Sequence, residues 1–240
     1  RKATAAMPLP NTPEGYTLHE EIGSGSFGVV LRATVPGDPR NYAVKIVGNS
    51  PALPGKGCLP QEDSASSAAV GGGSGDSSAV TRATREGALL LALGPKPGII
   101  TLHTTFSVDG CVWLVEELGQ RTLATASKSL NGVAEHLLRP WIVDIARGLC
   151  AIHRSGWVHL DVKPSNIVLC GEPEAPETWA AKLIDFGLAG PQSRSLQGSP
   201  TCPRRAFKSN PVLDAPPDRR PGAVGTPSYY GPETHAAEAA

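Results

Sequence analysis

The sequence lacks three features that would indicate common classes of protein. Its 22 basic and 22 acidic residues leave no net charge, so it offers no electrostatic basis for non-specific nucleic-acid binding. No run approaches the roughly 18 apolar residues of a membrane span. Its five cysteines include no CxxC pair, which argues against a structural zinc site or a disulfide framework and favours a reducing compartment. We expect an intracellular, cytoplasmic protein, with organelle targeting left open.

The first half of the chain contains segments with the residue alternation of β-strands. GYTLHEEIGSGSFGVVLRATV and NYAVKIV predict three strands, the first two joined by a tight glycine turn. IITLHTTFSV and CVWLVEEL predict two more. The intervening Asp109-Gly110 is a strong signal for a hairpin turn.

Two longer segments have the apolar spacing of helices. Residues 81–93 (TRATREGALLLAL) predict a helix that ends at Gly94-Pro95. Residues 133–154 predict a second helix, whose apolar stripe consists of Leu137, Trp141, Ile145, Leu149 and Ile152. Pro140 lies inside this pattern and either kinks the helix or marks its true beginning.

Two further segments have the composition of insertions. In residues 48–80, 22 of 33 residues are Gly, Ser, Ala or Pro. Such a segment buries too little apolar surface to offset its ordering entropy, so we predict a disordered insertion. Residues 190–221 are rich in proline and longer than an ordinary connection. This second insertion is functional, disordered or both.

A glycine cluster lies between the first two predicted strands. Gly23, Gly25 and Gly28 would let backbone N–H groups approach phosphate oxygens without a Cβ in the way. A strand follows rather than a helix, which argues against a dinucleotide-binding turn and a Walker loop. A structural hairpin with glycine bulges would have the same pattern.

A lysine interrupts the apolar third strand. Burying Lys45 is costly unless the ammonium has a partner. Either the strand lies at an edge with the charge in water, or Lys45 pairs with Glu86 of the following helix and holds phosphate oxygens. Sequence spacing does not distinguish these alternatives, because the insertion at 48–80 separates the two residues.

Carboxylate, ammonium and amide groups meet in the loop VHLDVKPSN, residues 158–166. Asp161 could orient a hydroxyl group and accept its proton. The oxygens of Asn166 and of Asp185, in Asp185-Phe-Gly, are ligands that suit Mg²⁺. An Asp-Phe-Gly alone is common, but one that follows Asp-x-Lys-Pro-x-Asn after 19 residues is not expected by chance.

These four motifs, in this order, resemble the eukaryotic protein kinase family. The resemblance runs from about Gly15 to Glu233, and Lys163 and the segment GTPSYYGPE are similar to the serine/threonine branch. It implies an α+β, bilobal fold with a five-stranded antiparallel sheet and one helix in the N-lobe. The expected divisions are a tail at 1–14, an N-lobe at 15–118 and a mainly helical C-lobe at 119–240, incomplete because family members continue with further helices.

The resemblance also implies roles for residues in the N-lobe. The residues expected around ATP are Ile22, Gly23, Gly25, Gly28, Val30, Ala43, Lys45, Glu117, Leu118 and, from the C-lobe, Val168. Lys45 would hold the α- and β-phosphates and pair with Glu86. Four apolar or aromatic residues would stack to link the lobes: Leu90, Leu102, His159 and Phe186.

In the C-lobe the implied roles are those of phosphoryl transfer. Asp161 would orient the substrate hydroxyl, and Lys163 would stabilise the transferring phosphoryl group. Asn166 and Asp185 would hold Mg²⁺. Thr226 and Ser228 are candidate phosphorylation sites by position.

Two residues depart from the family pattern. Most members have Arg where this chain has Leu160, and that Arg pairs with a phosphorylated residue. Leu160 therefore predicts activity without this phosphate switch. Glu116 falls at the gatekeeper position behind adenine, where a carboxylate would need a partner or a raised pKa. A one-residue shift that turns Glu116 outward is the alternative.

The leading hypothesis is a protein serine/threonine kinase domain, part of a longer chain, that transfers the γ-phosphoryl of Mg·ATP to protein Ser or Thr hydroxyls. Its partners would be ATP and a protein substrate, with no nucleic acid; the oligomeric state is left open. The alternative is a nucleotide-binding pseudokinase or regulatory interaction module. A small-molecule kinase is a weaker third reading.

Overall fold

The computed structural model describes residues 15–25, 28–48, 75–129, 133–192 and 226–229. The described residues fall into two compact units. The first contains those up to Gly87 together with Leu102–Leu118, and the second contains Ala88–Thr101 and those from Gly119 onward. The predicted tail at 1–14 lies outside the described residues.

The first unit is built on an antiparallel sheet. Its strands are β1 (Thr17–Gly25), β2 (Gly28–Thr34), β3 (Asn41–Val47), β4 (Leu102–Val108) and β5 (Cys111–Glu117), in the order β1-β2-β3-β5-β4. Helix α1 (Gly75–Leu93) begins in this unit. Asp109 and Gly110 join β4 to β5 with φ angles of 51° and 78°, both left-handed as a two-residue hairpin turn requires. The predicted five-stranded sheet, helix and hairpin turn are confirmed.

Alternation along the central strands explains the packing on both faces of the sheet. Tyr42, Val44 and Ile46 of β3 belong to a buried cluster on one face. On the opposite face, Val47 of β3 and Leu114 of β5 pack with α1. Because β3 and β5 are covered on both sides, they read in the sequence as apolar runs rather than as alternating strands.

The prediction that residues 48–80 are disordered is wrong for the last six of them. Helix α1 begins at Gly75, not at residue 81. Ala79 and Val80 pack on the buried cluster that includes Val47 and Ala83. Tertiary burial therefore extends the helix into a segment whose composition is unfavourable on its own; residues 49–74 lie outside the described part of the chain.

The second unit combines two helices with short strands. Its elements are β6 (Arg121–Thr122), α2 (Leu123–Ser129), α3 (Glu135–Arg154), β7 (Trp157–Val158), β8 (Ile167–Cys170), β9 (Ala180–Leu183) and β10 (Gly190–Pro191). Strands β6, β8 and β9 form one sheet, and β7 pairs with β10. Helix α3 begins five residues before Pro140, so that proline does not mark its start. Trp141 and Ile152 of α3 are buried, as the predicted stripe requires.

The N-lobe boundary predicted at 15–118 needs correction, because residues 88–101 belong to the second unit. Ile100 N donates to Leu183 O at 3.0 Å, and Leu183 N donates to Gly98 O at 2.9 Å. A Cβ added at Gly148 of α3 would lie 2.3 Å from Gly98 O. This close backbone contact holds the segment against α3 and β9.

The predicted insertion at 190–221 also begins with ordered structure. Gly190 and Pro191 pair with Val158 and Trp157, and Gln192 N donates to Gly156 O at 2.8 Å. The remaining residues, from 193, lie outside the described ranges. Among the described helices, none is long and apolar enough to cross a membrane.

Candidate functional site

The first unit places Lys45 beside Glu86. Lys45 Nζ donates to Glu86 Oε2 at 2.8 Å and to Oε1 at 3.1 Å. The Glu86 side chain is 1% exposed and that of Lys45 is 12% exposed. Strand β3 lies between β2 and β5, so the edge-strand alternative for Lys45 is wrong. The ammonium is held within the sheet by a buried carboxylate from α1.

The glycine cluster spans the β1–β2 hairpin. Gly25 pairs with Gly28, and Gly23 pairs with Val30. Gly28 has a φ of 146°, and a Cβ there would lie 2.2 Å from Ile46 O, so the hairpin itself requires glycine at this position. A Cβ at Gly23 would meet only Val30, at an ordinary 3.9 Å. Packing among the described residues therefore does not account for glycine at Gly23.

Glu116 is buried on the same face of the sheet as Lys45. In β5, Glu116 lies opposite Ala43 of β3, and Leu114 lies opposite Lys45. Leu114 packs with Ala83 of α1, so alternation directs Glu116 to that face as well. Glu116 is 8% exposed. The alternative that Glu116 points outward to solvent is therefore wrong.

The remaining residues expected around ATP have varied surroundings. Ile22 is 45% exposed, Ala43 is buried, and Val30, Glu117 and Leu118 are partly buried. In the second unit, Val168 is buried in β8 against the chain at Gly119, where an added Cβ would lie 2.1 Å from Val168 Cγ2. This requirement for glycine is not visible in the sequence pattern, because β8 is distant from Gly119 along the chain.

The second unit brings Asp161, Lys163 and Asn166 together. Asp161 Oδ2 accepts hydrogen bonds from Asn166 Nδ2 and Lys163 Nζ, both at 2.8 Å. Asn166 Nδ2 also donates to Asp161 O at 2.9 Å. Both contacts of Asn166 use its nitrogen, which leaves Oδ1 available as a ligand. The loop predicted from the motif is therefore a connected polar cluster.

A fourth member of this cluster comes from a distant part of the sequence. Thr226 Oγ1 donates to Asp161 Oδ1 at 2.8 Å and accepts from Lys163 Nζ at 2.6 Å. From the sequence, Thr226 was predicted only as a candidate phosphorylation site. The signal that could have revealed this contact was its place in the GTPSYYGPE segment.

The contacts of Asp161 determine its charge. Burial raises the pKa of Asp161, but the hydrogen bonds from Lys163 and Thr226 outweigh it and hold that pKa below the ordinary value. Asp161 is therefore a carboxylate at neutral pH, with acceptor capacity on both oxygens. A buried, ionised carboxylate beside a hydroxyl is suited to orienting that hydroxyl.

The neutral ring of His159 contacts this cluster through the backbone of Asp161. Burial lowers the pKa of His159. Its Nε2 lies 3.1 Å from Ile184 O, and its Nδ1 accepts from Asp161 N at 3.3 Å. These contacts select the tautomer with the proton on Nε2. The ring also packs on Phe186 at a centroid distance of 4.8 Å, so His159 links the loop to the chain around Asp185.

Asp185 is brought beside the loop by strand pairing. Ile167 of β8 pairs with Leu183 of β9, and Ile184 N donates to Asn166 O at 3.0 Å. Asp185 follows directly, with a φ of 62°. The Asp185 carboxylate and Asn166 Oδ1 are hard oxygen donors of the kind that suits Mg²⁺.

Leu160 also has a left-handed backbone, with a φ of 67°. Such a conformation costs a non-glycine residue about 1–2 kcal/mol. Its side chain is 45% exposed and approaches Gly190, where an added Cβ would lie 3.2 Å from Leu160 Cδ1. Strained residues therefore occur both next to Asp161 and at Asp185, as is common at functional sites.

Comparison with known proteins places these observations in a family. The sequence matches the protein kinase domain family over residues 16–238. It is 30% identical over 178 residues to ribosomal protein S6 kinase alpha-2 of Mus musculus, covering 73% of this chain and 20% of that protein. It is 28% identical over 178 residues to serine/threonine-protein kinase cot-1 of Neurospora crassa, covering 74% and 25%.

A third relative is the titin homolog of Caenorhabditis elegans, 27% identical over 184 residues, which cover 75% of this chain and 1% of that protein. The chain thus spans a quarter or less of the length of these curated relatives.

Proposed function

The chain belongs to the protein kinase domain family, and from this membership we propose that it transfers the γ-phosphoryl group of Mg·ATP to serine or threonine hydroxyls of a protein substrate. The observation that carries the proposal is the hydroxyl of Thr226, which bonds at once to Asp161 and Lys163. These contacts are the ones that an acceptor hydroxyl needs. The relatives named as S6 kinase and as a serine/threonine-protein kinase support the same branch.

Asp161 is the residue that would orient the attacking hydroxyl. Its lowered pKa keeps it ionised, so it can accept the O–H of the substrate and, late in the transfer, its proton. Asn166 Nδ2 fixes Asp161 by donating one hydrogen bond to its carboxylate and one to its backbone carbonyl oxygen. Lys163 Nζ contacts the same carboxylate oxygen, Oδ2, and would stabilise negative charge on the phosphoryl group as it moves.

Asn166 and Asp185 are the residues that would hold the metal. Bound Mg²⁺ neutralises phosphate charge and orients the phosphates for in-line transfer. The chain's own contribution would be Asn166 Oδ1 and the Asp185 carboxylate, on segments that the β8–β9 pairing joins. We propose this pair as the metal ligands.

Lys45 and the glycine hairpin are the groups that would bind the nucleotide phosphates. Lys45 Nζ donates to both carboxylate oxygens of Glu86, and this pairing would position the ammonium for the α- and β-phosphates. Glycine at Gly23, which packing does not explain, would allow a phosphate to approach the backbone closely. The proposed adenine contacts are Ile22, Val30, Ala43, Glu117, Leu118 and Val168.

Leu160 supports activity that needs no phosphorylated activation loop. A leucine offers no charge to a phosphate, and its exposed side chain makes no hydrogen bond. The arrangement of Asp161, Lys163 and Asn166 is complete without such a contact. We propose that treatment with a phosphatase leaves the rate unchanged.

The buried Glu116 favours one second candidate, a nucleotide-binding pseudokinase. Its carboxylate lies opposite Ala43, beside the proposed adenine contacts, where it would alter how a nucleotide is held. The intracellular location and the absence of a nucleic-acid partner stay predictions.

Phosphate transfer from labelled Mg·ATP to a generic Ser/Thr protein substrate tests the proposal. We expect Asp161→Asn to lower the rate by at least about 100-fold, and we expect Glu135→Gln, at an exposed position of α3, to leave it unchanged. Nucleotide binding is measured in parallel. Wild-type protein that binds Mg·ATP but transfers no phosphate would favour the pseudokinase, and full activity in Asp161→Asn would remove Asp161 from the mechanism.

A further inference from the structure

A groove of about 440 Å³ lies in the second unit, outside the proposed catalytic site. It runs between the Lys96-Pro97 segment and the C-terminal half of α3. Three cations line it, Lys96, Arg147 and Arg154, and no acidic residue does. Its floor is apolar and includes Val143, which is 47% exposed. We call this feature the basic groove.

The lining residues of α3 form one stripe along the helix. Val143, Arg147, Cys150 and Arg154 recur at spacings of four, three and four, which places them on one face. At 1.5 Å per residue, Arg147 and Arg154 are separated by about 10 Å along the axis. Arg147 has a long contact to Asp144, at 3.4 Å. Within the described part of the chain, Lys96 and Arg154 form no ion pair.

The same unit carries a surface of opposite charge. The turn between β8 and β9, residues 171–178, exposes Glu172, Glu174 and Glu177 within six residues. None of these carboxylates forms an ion pair with a described residue. The residues between them are small and apolar: Pro173, Ala175 and Pro176. We call this feature the acidic turn.

The acidic turn is held rigidly at its base. Trp179 Nε1 donates to Glu172 O at 2.6 Å, and Gln120 Nε2 donates to Gly171 O at 2.8 Å. Trp141 Nε1 of α3 donates to Trp179 O at 2.9 Å. The turn therefore presents its carboxylates in a preorganised form, which lowers the entropy cost of docking.

The acidic turn does not reach the groove of its own chain. Trp141 anchors the turn, and Val143 lies at the start of the groove. At 100° per residue, their side chains point about 160° apart around α3. The other stripe residues, Arg147, Cys150 and Arg154, lie within about 60° of the direction opposite Trp141 by the same rule. The turn and the groove thus lie on opposite sides of α3, and only a second molecule can bring them together.

We propose that the basic groove docks the acidic turn of a second copy of this chain. Glu174 and Glu177 are three residues apart in a turned stretch, and their long side chains can spread to reach the two arginines. The small apolar residues of the turn match the apolar floor between the cations. A contact between two different surfaces of identical chains produces dimers or longer assemblies.

Paired charge reversals test this contact in the full 240-residue chain. One variant carries Lys96→Glu and Arg154→Glu in the groove; Arg147 is retained because it contacts Asp144. The other carries Glu174→Lys and Glu177→Lys in the turn. We expect each variant alone to raise the dissociation constant of self-association at least about tenfold in sedimentation experiments at low salt. An equimolar mixture should restore association, because each reversed surface then meets a reversed partner.

The control variant changes charge without changing the groove. Lys128→Glu with Arg139→Glu alters the net charge by the same amount as the groove variant, at exposed positions of the second unit. It should associate as the wild type does. Wild-type association should also weaken at about 1 M salt, where the screening length falls to about 3 Å. Far-UV circular dichroism confirms that each variant is folded.

Cys150 provides a local readout of groove occupancy. It is exposed and lines the groove, whereas Cys111 and Cys170 are buried; Cys58 and Cys202 are replaced by serine. We expect maleimide labelling of Cys150 to slow as the wild-type concentration rises, and to be independent of concentration in the groove variant.

Three results would overturn the proposal. The first is a wild-type chain that stays monomeric up to about 200 μM, because any self-association would then be weaker than that of specific complexes. The other two are association that neither charge reversal changes and an equimolar mixture that fails to associate. A groove that serves an acidic segment of a different protein would give the first of these results.

Discussion

Replacing Lys45 by methionine isolates its buried ion pair with Glu86 in the first unit. Lys45→Met keeps the apolar stem but removes the ammonium, and so leaves Glu86 without the two contacts at 2.8 and 3.1 Å. The Glu86 side chain is 1% exposed, so water cannot replace the lost partner. Removing one member of a buried pair typically costs about 3–5 kcal/mol.

This loss should be visible as a shift in thermal unfolding. For a chain of this size, about 1 kcal/mol corresponds to roughly 2–4 °C in Tm. We therefore expect Lys45→Met to lower the Tm of the first unit by about 10 °C. Circular dichroism measures the transition, and hydrogen exchange in β3 and α1 assigns it to this unit.

The double variant Lys45→Met/Glu86→Leu separates electrostatics from packing. Replacing both partners by apolar residues of similar size is often neutral or stabilising, because no buried charge is left behind. We expect most of the lost stability to return. A single variant that loses less than about 1 kcal/mol, as an exposed pair would, would refute the reasoning. A double variant no more stable than the single one would show that the loss came from packing.

Four other changes test separate parts of the site and fold. Thr226→Val should lower kcat by about 10–100-fold, because it removes a hydrogen bond that positions Asp161. Thr226→Ser keeps the hydroxyl and should retain activity. A Thr226→Val variant with the wild-type kcat would contradict this role. The lowered pKa of Asp161 contributes stability that is present above the ordinary aspartate pKa and is lost as pH falls through the lower folded value; Asp161→Asn should abolish this acid-side loss in pH-dependent unfolding. Leu160→Gly should raise the free energy of unfolding by up to about 1 kcal/mol by relieving the left-handed backbone, and urea denaturation would detect an opposite sign. Gly148→Ala should cost about 3 kcal/mol or more by forcing a Cβ against Gly98 O, and near-wild-type stability would contradict that contact.

Local patterns predicted the strands and helix of the first unit and the residues of the candidate site. The strands around Asp109-Gly110 followed from residue alternation and from a turn that only a few residue types form. The order of Lys45, Asp161 and Asp185 along the chain by itself indicates the family. Such features depend on residues that are close in sequence, and backbone preferences act over the same short range.

Contacts between distant residues were not predictable in this way. The start of α1 at Gly75 depends on packing of Ala79 and Val80 against the sheet, which overrides a composition that favours disorder. The assignment of residues 88–101 to the second unit depends on backbone contacts with Leu183 and Gly148. Both errors arose because burial by a distant element is invisible in a local pattern.

The sequence by itself therefore determined which groups are available for the proposed phosphoryl transfer: a lysine in a strand, an acidic and amide-bearing loop, and a second aspartate. Only the tertiary structure decided how they are connected. It paired Lys45 with Glu86 across an insertion, buried Glu116 on the face of Lys45, and joined Thr226 to Asp161 across 65 residues. The physical reason is that charge and hydrogen-bonding capacity belong to the residue, whereas partner and burial belong to the packed chain.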